Sequence, residues 1–233
     1  MMEGMDVNIK IRNYRTEDRK AVRKISVESS ILGEYRDTVF DGEFLADILT
    51  AYFTDYESAS CFVAEKRNRV VGYVLGTCDV IMMQRVMKRR IVPGLVKNVL
   101  CNGGFFRRNN LMLIKNMVYS YFKGEFNVPD FTLEYPATLH VNITAQYRGK
   151  NVGLLLVNHF LEFLKKNNVR GIHFGVLSES TKRFFLKLDF EILFAGKYTF
   201  LDYLTGESLP HYIMGKKLVS VSNSEGSLLF LVF

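Results

Sequence analysis

Apolar and polar residues alternate from Val7 to Tyr14, which predicts a strand. Thr16 suits the N-cap of a helix running to about Ser30, with Val22, Ile25 and Val27 at near-helical spacing. A second helix is expected after Asp41, where Phe44, Leu45, Ile48, Leu49 and Phe53 follow the period of one helix face. Cys61 to Lys66 and Val70 to Cys78 read as the two strands of a hairpin, joined by Arg67-Asn68-Arg69. From Val80 to Gly124 the pattern is broken at Pro93-Gly94 and at Asn102-Gly103-Gly104. Between the breaks, Leu95, Val96, Val99 and Leu100 predict one or two helical turns. After them, Leu111, Ile114, Met117, Val118, Tyr121 and Phe122 predict a longer amphipathic helix. Pro136 then opens a strand, Ala137 to Ile143. A turn leads to a helix from about Val152 to Lys166, stopped at Asn167-Asn168. Gly171 to Leu177 reads as a buried strand, Ser180 to Leu188 as a helix, and Glu191–Phe200 and His211–Leu218 as further strands. The order βααββ, insertion, βαβαββ predicts a mixed α/β sheet with parallel strands on either side of the helix at Val152.

The length of 233 residues and an apolar fraction of 48% allow one large domain with a full core, without disulfides or metal. Cys61, Cys78 and Cys101 have no zinc or CxxC spacing and are expected as free thiols in a reducing compartment. His140, His159, His173 and His211 show no metal-ligand spacing, so no metal is expected. No signal-peptide pattern and no apolar run of about 18 residues is visible, so a cytoplasmic protein without a membrane span is expected. Charge changes the picture in one place. The net charge is +7, yet residues 80–124 hold nine Lys and Arg and no acid, while the rest of the chain carries 22 basic against 24 acidic residues. That segment reads as a lid over an acceptor pocket, as a solvated helical face, or as a surface for nucleic acid or anionic membrane. Phe105 and Phe106 beside Arg107 and Arg108 suit either a loop anchor or a nucleic-acid surface; a nucleic-acid partner ranks last.

The chemistry concentrates in Ile143 to Gly153, where a strand ends, the chain turns and a helix begins. The first amides of a helix lack partners and lie at the positive end of its dipole, which suits a pyrophosphate. Gly149 and Gly153 let a ligand approach the backbone, and Arg148 and Lys150 add charge. There is no GxxxxGK[ST] and no GxGxxG after a strand, which excludes the common nucleotide motifs. From these residues alone, a basic surface turn and a phosphate-binding turn both remain open.

The stretch resembles the pyrophosphate loop of the GNAT superfamily of acetyltransferases, Arg/Gln-x-x-Gly-x-Gly/Ala, with Arg148, Asn151 and Gly153 in the pattern and Asn151 in place of its first glycine. Thr181 to Phe190 is similar to the family's Ala-x-x-Phe-Tyr-x-Lys-Leu-Gly-Phe helix. The resemblance covers nearly the whole chain except 80–124 and the tail after Val219. It implies a GNAT-like mixed, mostly antiparallel sheet with a parallel, splayed central strand pair, flanked by helices. The implied domain is 1–219 with a basic helical insertion at 80–124, followed by a tail at 220–233. The tail is expected to add an edge strand, to pack on a second copy in a homodimer, or to remain outside the fold.

The resemblance further implies acetyl-CoA as co-substrate and an amine as acceptor. Cofactor binding falls on Asn142, Ile143, Thr144, Arg148, Gly149, Lys150, Asn151, Val152, Gly153, Ser178, Thr181, Phe184 and Phe185. The backbone amide near Ile143 is placed to polarise the thioester carbonyl. The family often has a Tyr where this chain has Phe185, and Ser178 and Thr181 replace its usual Asn and Ala. Candidates for proton transfer are Glu134, His140, His173 and Ser178, with Asp79 a weaker one. The two histidines, on adjacent strands, either face one another or are satisfied within the sheet. The expected function is N-acetyl transfer to a small molecule or peptide. The alternatives are a weak or inactive coenzyme A-binding module, or an acetyltransferase directed to RNA or membrane by its insertion.

Overall fold

Backbone amides and carbonyls in a core must pair, so the strand ladders set the frame. The computed structural model describes residues 9–31, 42–101 and 108–218, and places seven strands in two antiparallel sheets. The first has β1 (Lys10–Asn13), β2 (Cys61–Lys66), β3 (Arg69–Thr77) and β4 (Thr138–Ile143) in that order. The second has β5 (Gly171–Val176), β6 (Glu191–Tyr198) and β7 (Leu209–Lys217), with β7 in the middle. The β2–β3 turn is one residue shorter than its spacing suggests. Arg69 pairs with Lys66, and Arg67 and Asn68 make the turn at φ values of 48° and 60°, as a primed hairpin turn requires.

The two sheets meet at one parallel bridge. The Ala137 amide donates to the Gly171 carbonyl at 3.2 Å, and the His173 amide donates to the Ala137 carbonyl at 2.9 Å. Among the described residues no further ladder joins β4 to β5. The parallel pairing expected around the central helix is therefore one bridge long, and every ladder is antiparallel.

Three helices cover the sheets: α1 (Arg19–Ser29) and α2 (Gly42–Tyr56) on one face, and α6 (Val152–Lys166) on the other. Leu156, Phe160 and Leu164 of α6 are fully buried in one cluster with Phe62, Val74 and Leu139 from the first sheet and Ile172, Phe174 and Met214 from the second. One apolar helix face thus ties the sheets together across the bridge. On the opposite face, Val22 and Ile25 of α1 and Tyr52 and Phe53 of α2 pack on Cys61, Val63, Tyr73 and Leu75. Burial pushes the Cys61 thiol up to about 12, so it behaves as a core residue.

Thr16 does not cap α1. A short 3-10 turn, Thr16–Asp18, precedes the helix, and Asp18 accepts from the Arg15 amide at 2.8 Å and pairs with Arg12 at 2.6 Å. Burial opposes the Asp18 charge, but Arg12 and the amide outweigh it and hold the carboxyl below its usual range.

The basic segment is helical on both sides of residues 102–107. α3 (Val80–Val86) runs through a π-helical turn, Met87–Ile91, into α4 (Val92–Cys101), and α5 (Arg108–Phe122) follows. Pro93 therefore does not break the helix. The wider π turn just before it accommodates a ring that would otherwise clash with the carbonyl four residues back. Asp79 caps α3 by accepting from the Met82 amide at 2.9 Å. α5 leans on the chain between β6 and β7: Leu113 packs with Leu201 and Leu209, and Ser120 lies 3.3 Å from the Thr199 hydroxyl. α7 (Glu179–Leu186) and the short α8 (Asp202–Thr205) complete the helices. Phe105, Phe106, Arg107 and the tail lie outside the described residues.

Candidate functional site

Between β4 and α6 the chain makes a 3-10 turn, Ala145–Tyr147, and then reverses through Gly149 at φ 75° and Asn151 at φ 61°. Glycine and asparagine are the residues that adopt this left-handed conformation at least expense, which explains Asn151 in the turn. No side chain caps α6, so its leading amides remain as donors at the turn. Gly153 has a different reason. A Cβ there would lie 3.0 Å from Ile143 Cδ1 and 3.4 Å from Phe184 Cζ, so its absence brings α6 close to β4 and α7.

A cleft of about 620 Å³ opens at this point. The turn lines it with Arg148, Gly149, Asn151, Val152 and Gly153, β4 with Val141, Asn142 and Ile143, and the start of α7 with Ser178, Thr181, Phe184 and Phe185. Thr144 and Lys150, also expected at the cofactor, line a neighbouring groove of about 990 Å³ with Lys24, Lys66, Arg67 and Arg69. Lys66 and Lys150 both lie over the Tyr147 ring there, at 5.3 and 5.4 Å. Ser29, Ile31, Leu154 and Ser180 also line the cleft, and no local sequence spacing marks them.

The ladder decides which amides of β4 are free. Thr144 donates to the Val71 carbonyl at 3.0 Å, whereas Ala137 bonds across the bridge to the second sheet. Antiparallel pairing alternates direction residue by residue, so the amides of Leu139, Val141 and Ile143 point away from β3 toward the opening.

Solved structures share this fold. SsHAT superposes with a TM-score of 0.66 at 22% identity, over 91% of this chain and 99% of that one. A structure of yncA from Salmonella typhimurium, described as an acetyltransferase and solved with its cofactor acetyl-CoA, gives 0.54 at 13% identity over 94% and 99%. The ribosomal-protein-alanine N-acetyltransferase of Brucella melitensis gives 0.51 at 18% over 89% and 99%. The chain has the GNAT acetyltransferase fold. No family model and no curated protein matches the sequence.

Within this GNAT fold the proton-transfer candidates fall at different places along β4. Asn142 and His140 project to the α1 side of the sheet and meet Tyr73 of β3. The Asn142 amide donates to the Tyr73 hydroxyl at 2.9 Å and contacts His140 Nε2 at 3.1 Å, and the hydroxyl lies 3.5 Å from His140 Nδ1. Burial pushes the His140 pKa down to about 4 and raises that of the Tyr73 phenol, so both are neutral at pH 7. With Asn142 donating to Nε2, the network assigns the proton to Nδ1. Tyr73 was missed in the sequence because its partner is 69 residues away. Its signal is a phenol inside the otherwise apolar run Val71 to Leu75.

His173 and Glu134 lie at the bridge end. His173 Nδ1 is 2.5 Å from the Tyr135 carbonyl, and Glu134 pairs with Lys217 at 3.0 Å, both side chains well exposed. From Ala137 to Ile143 the strand covers roughly 20 Å at its usual rise. His140 and His173 thus have separate partners and do not meet. Ser178 borders the cleft as the cap of α7. It accepts from the Thr181 amide at 3.2 Å and donates to the Thr181 hydroxyl at 2.8 Å. Phe185 packs among Phe174, Phe184 and Phe190 at ring distances of 4.5, 5.0 and 5.2 Å and offers no hydroxyl. Among the described residues no group of three or more His, Cys, Asp or Glu is placed to hold a metal.

Proposed function

We propose that this chain binds acetyl-CoA in the β4–α6 cleft and transfers its acetyl group directly to a primary amine of a small molecule or peptide. The observation that carries this reading is the cleft itself: uncapped amides of α6, Arg148 and two left-handed turn residues at one end, and outward amides of β4 along its wall. The pyrophosphate would rest on the α6 amides and Arg148. The cations of the neighbouring groove suit the remaining phosphate. The pantetheine arm would run along β4, where the Val141 and Ile143 amides are available, and the thioester oxygen would take one of them.

The amine lone pair attacks the thioester carbon, the C–S bond breaks, and the proton lost by nitrogen ends on sulfur. Of the proton-transfer candidates, Ser178 lines the cleft directly, and His140 stands behind its wall in contact with Asn142. Held neutral down to about 4 and reached only through an amide that donates to it, the imidazole orients Asn142 rather than taking the proton, which passes to sulfur directly or through Ser178 or solvent. A free cysteine thiol ionises at about 8.5, and an alkyl thiolate such as that of coenzyme A is a tolerable leaving group without a strong acid. Phe185 favours a second reading, a coenzyme A-binding module with little turnover.

Thiol release from acetyl-CoA with a panel of amines, by wild type and by Phe185→Tyr, tests the reading. A hydroxyl directed at the sulfur should raise turnover, up to the about 10²–10⁴-fold that such an acid supplies. Turnover by the wild type with at least one amine supports transfer. Binding without thiol release in either protein favours the module, and absence of binding removes both.

A further inference from the structure

We propose that the outer face of α5 docks the protein onto an anionic lipid bilayer. A helix on the surface of a soluble domain normally turns its apolar stripe inward. α5 does the reverse. Its buried positions are Asn110, Leu113 and Ser120, two of them polar. Leu111 lies on the opposite side, with Val118 and Phe122 about two and three turns beyond it, and they are 43%, 51% and 81% exposed. Met112 and Tyr119 are exposed beside them. Lys115 lies on the same stripe, with Arg108 and Lys123 at the ends of the helix.

Charge selects the occupant. Arg108, Lys115 and Lys123 lie on or beside α5, in a segment from 80 to 124 that has nine cations and no acid, so an anionic partner fits this face. A second copy meeting this face two-fold would set like charges against each other. Nucleic acid would satisfy the cations and could stack on Tyr119 and Phe122, but it would leave the aliphatic surface of Leu111, Met112 and Val118 without an apolar partner. An anionic bilayer takes both sets: aliphatic side chains enter the acyl boundary, tyrosines sit at the headgroups, and lysines reach the phosphates. At fifteen residues, α5 is about 22 Å long and would lie in the interface. No helix of the described residues is long and apolar enough to cross a membrane. The α4 side chains Val92, Val96 and Leu100 form a second exposed stripe next to α5 in the chain. This inference does not depend on the acetyl-transfer reading.

Co-sedimentation of the full chain with vesicles tests it. The wild type should pellet with phosphatidylglycerol–phosphatidylcholine vesicles and bind phosphatidylcholine vesicles far more weakly. Val118→Ser with Phe122→Ser removes apolar surface and keeps every charge. It should weaken binding by about tenfold or more at an unchanged melting temperature. Three results would overturn the proposal: no pelleting with anionic vesicles at low salt, binding unchanged by the two serines, or displacement of the protein from vesicles by a single-stranded RNA oligonucleotide that binds it more tightly.

Discussion

α6 and α5 are each fifteen residues long and each combine aliphatic residues with two basic ones, yet they relate to the sheets in opposite ways. α6 buries seven residues, including Leu156, Val157, Phe160, Leu161 and Leu164, and joins both sheets through them. α5 buries three, and most of its apolar side chains face outward. Periodicity of apolar residues therefore marks a helix without saying which side meets the protein. For α6 the sheet supplies the partner surface. Among the described residues α5 meets the narrow seam from Thr199 to Leu209, and its larger apolar face has no partner surface there.

The comparison breaks most visibly in stability. Phe160→Ala should destabilise the fold by about 3–5 kcal/mol, because a fully buried ring leaves a cavity in the cluster shared by both sheets. Val118→Ala on α5 should change it by no more than about 0.5 kcal/mol. Urea melts of the two variants check both values. A loss at Val118 comparable to that at Phe160 would mean that the outer face of α5 is covered within the protein.

The cations should divide in the same manner. Arg148→Ala removes a charge from the cleft and should weaken acetyl-CoA binding by about tenfold, allowing for the exposure of the side chain. Lys115→Ala should leave that affinity unchanged. Calorimetric titration measures both, and equal losses would tie the insertion to the cofactor.

A smaller effect sharpens the contrast through pH. His140 is held neutral down to about 4, against an ordinary value of 6.5. Between those values the unfolded chain binds a proton that the folded chain does not. This stabilisation is complete above pH 6.5 and is lost as pH falls from about 6.5 through about 4. Burial lowers His159 and His211 in the same direction, so wild-type stability should fall over this range from several sites. His140→Asn should make the fall shallower. An unchanged slope between pH 7 and pH 5 would mean that His140 titrates normally.

Much of the frame was legible because its signals are local. The α6 boundaries follow from the apolar period, and the left-handed conformation of Asn151 follows from the tolerance of its residue type. What remained hidden depends on distant partners or on irregular backbone. Asp18, not Thr16, leads into α1 because Arg12 on β1 holds it there. Pro93 lies within a helix because a π turn precedes it, and no residue pattern announces that turn. The Tyr73–Asn142–His140 cluster requires the β3–β4 register, which sets Tyr73 opposite Asn142. Gly153 was readable as a close approach, but the approach is to Ile143 and Phe184, known only once α6 is packed.

The most direct test of the central claim is thermal unfolding of the whole chain with and without acetyl-CoA. At 100 times its dissociation constant a ligand held only by the folded state adds about 2.7 kcal/mol, which for a chain of this length raises the melting temperature by about 5–10 °C. The account predicts that rise in the wild type and a smaller one in Arg148→Ala at the same concentration. No shift in the wild type at saturating acetyl-CoA would contradict it.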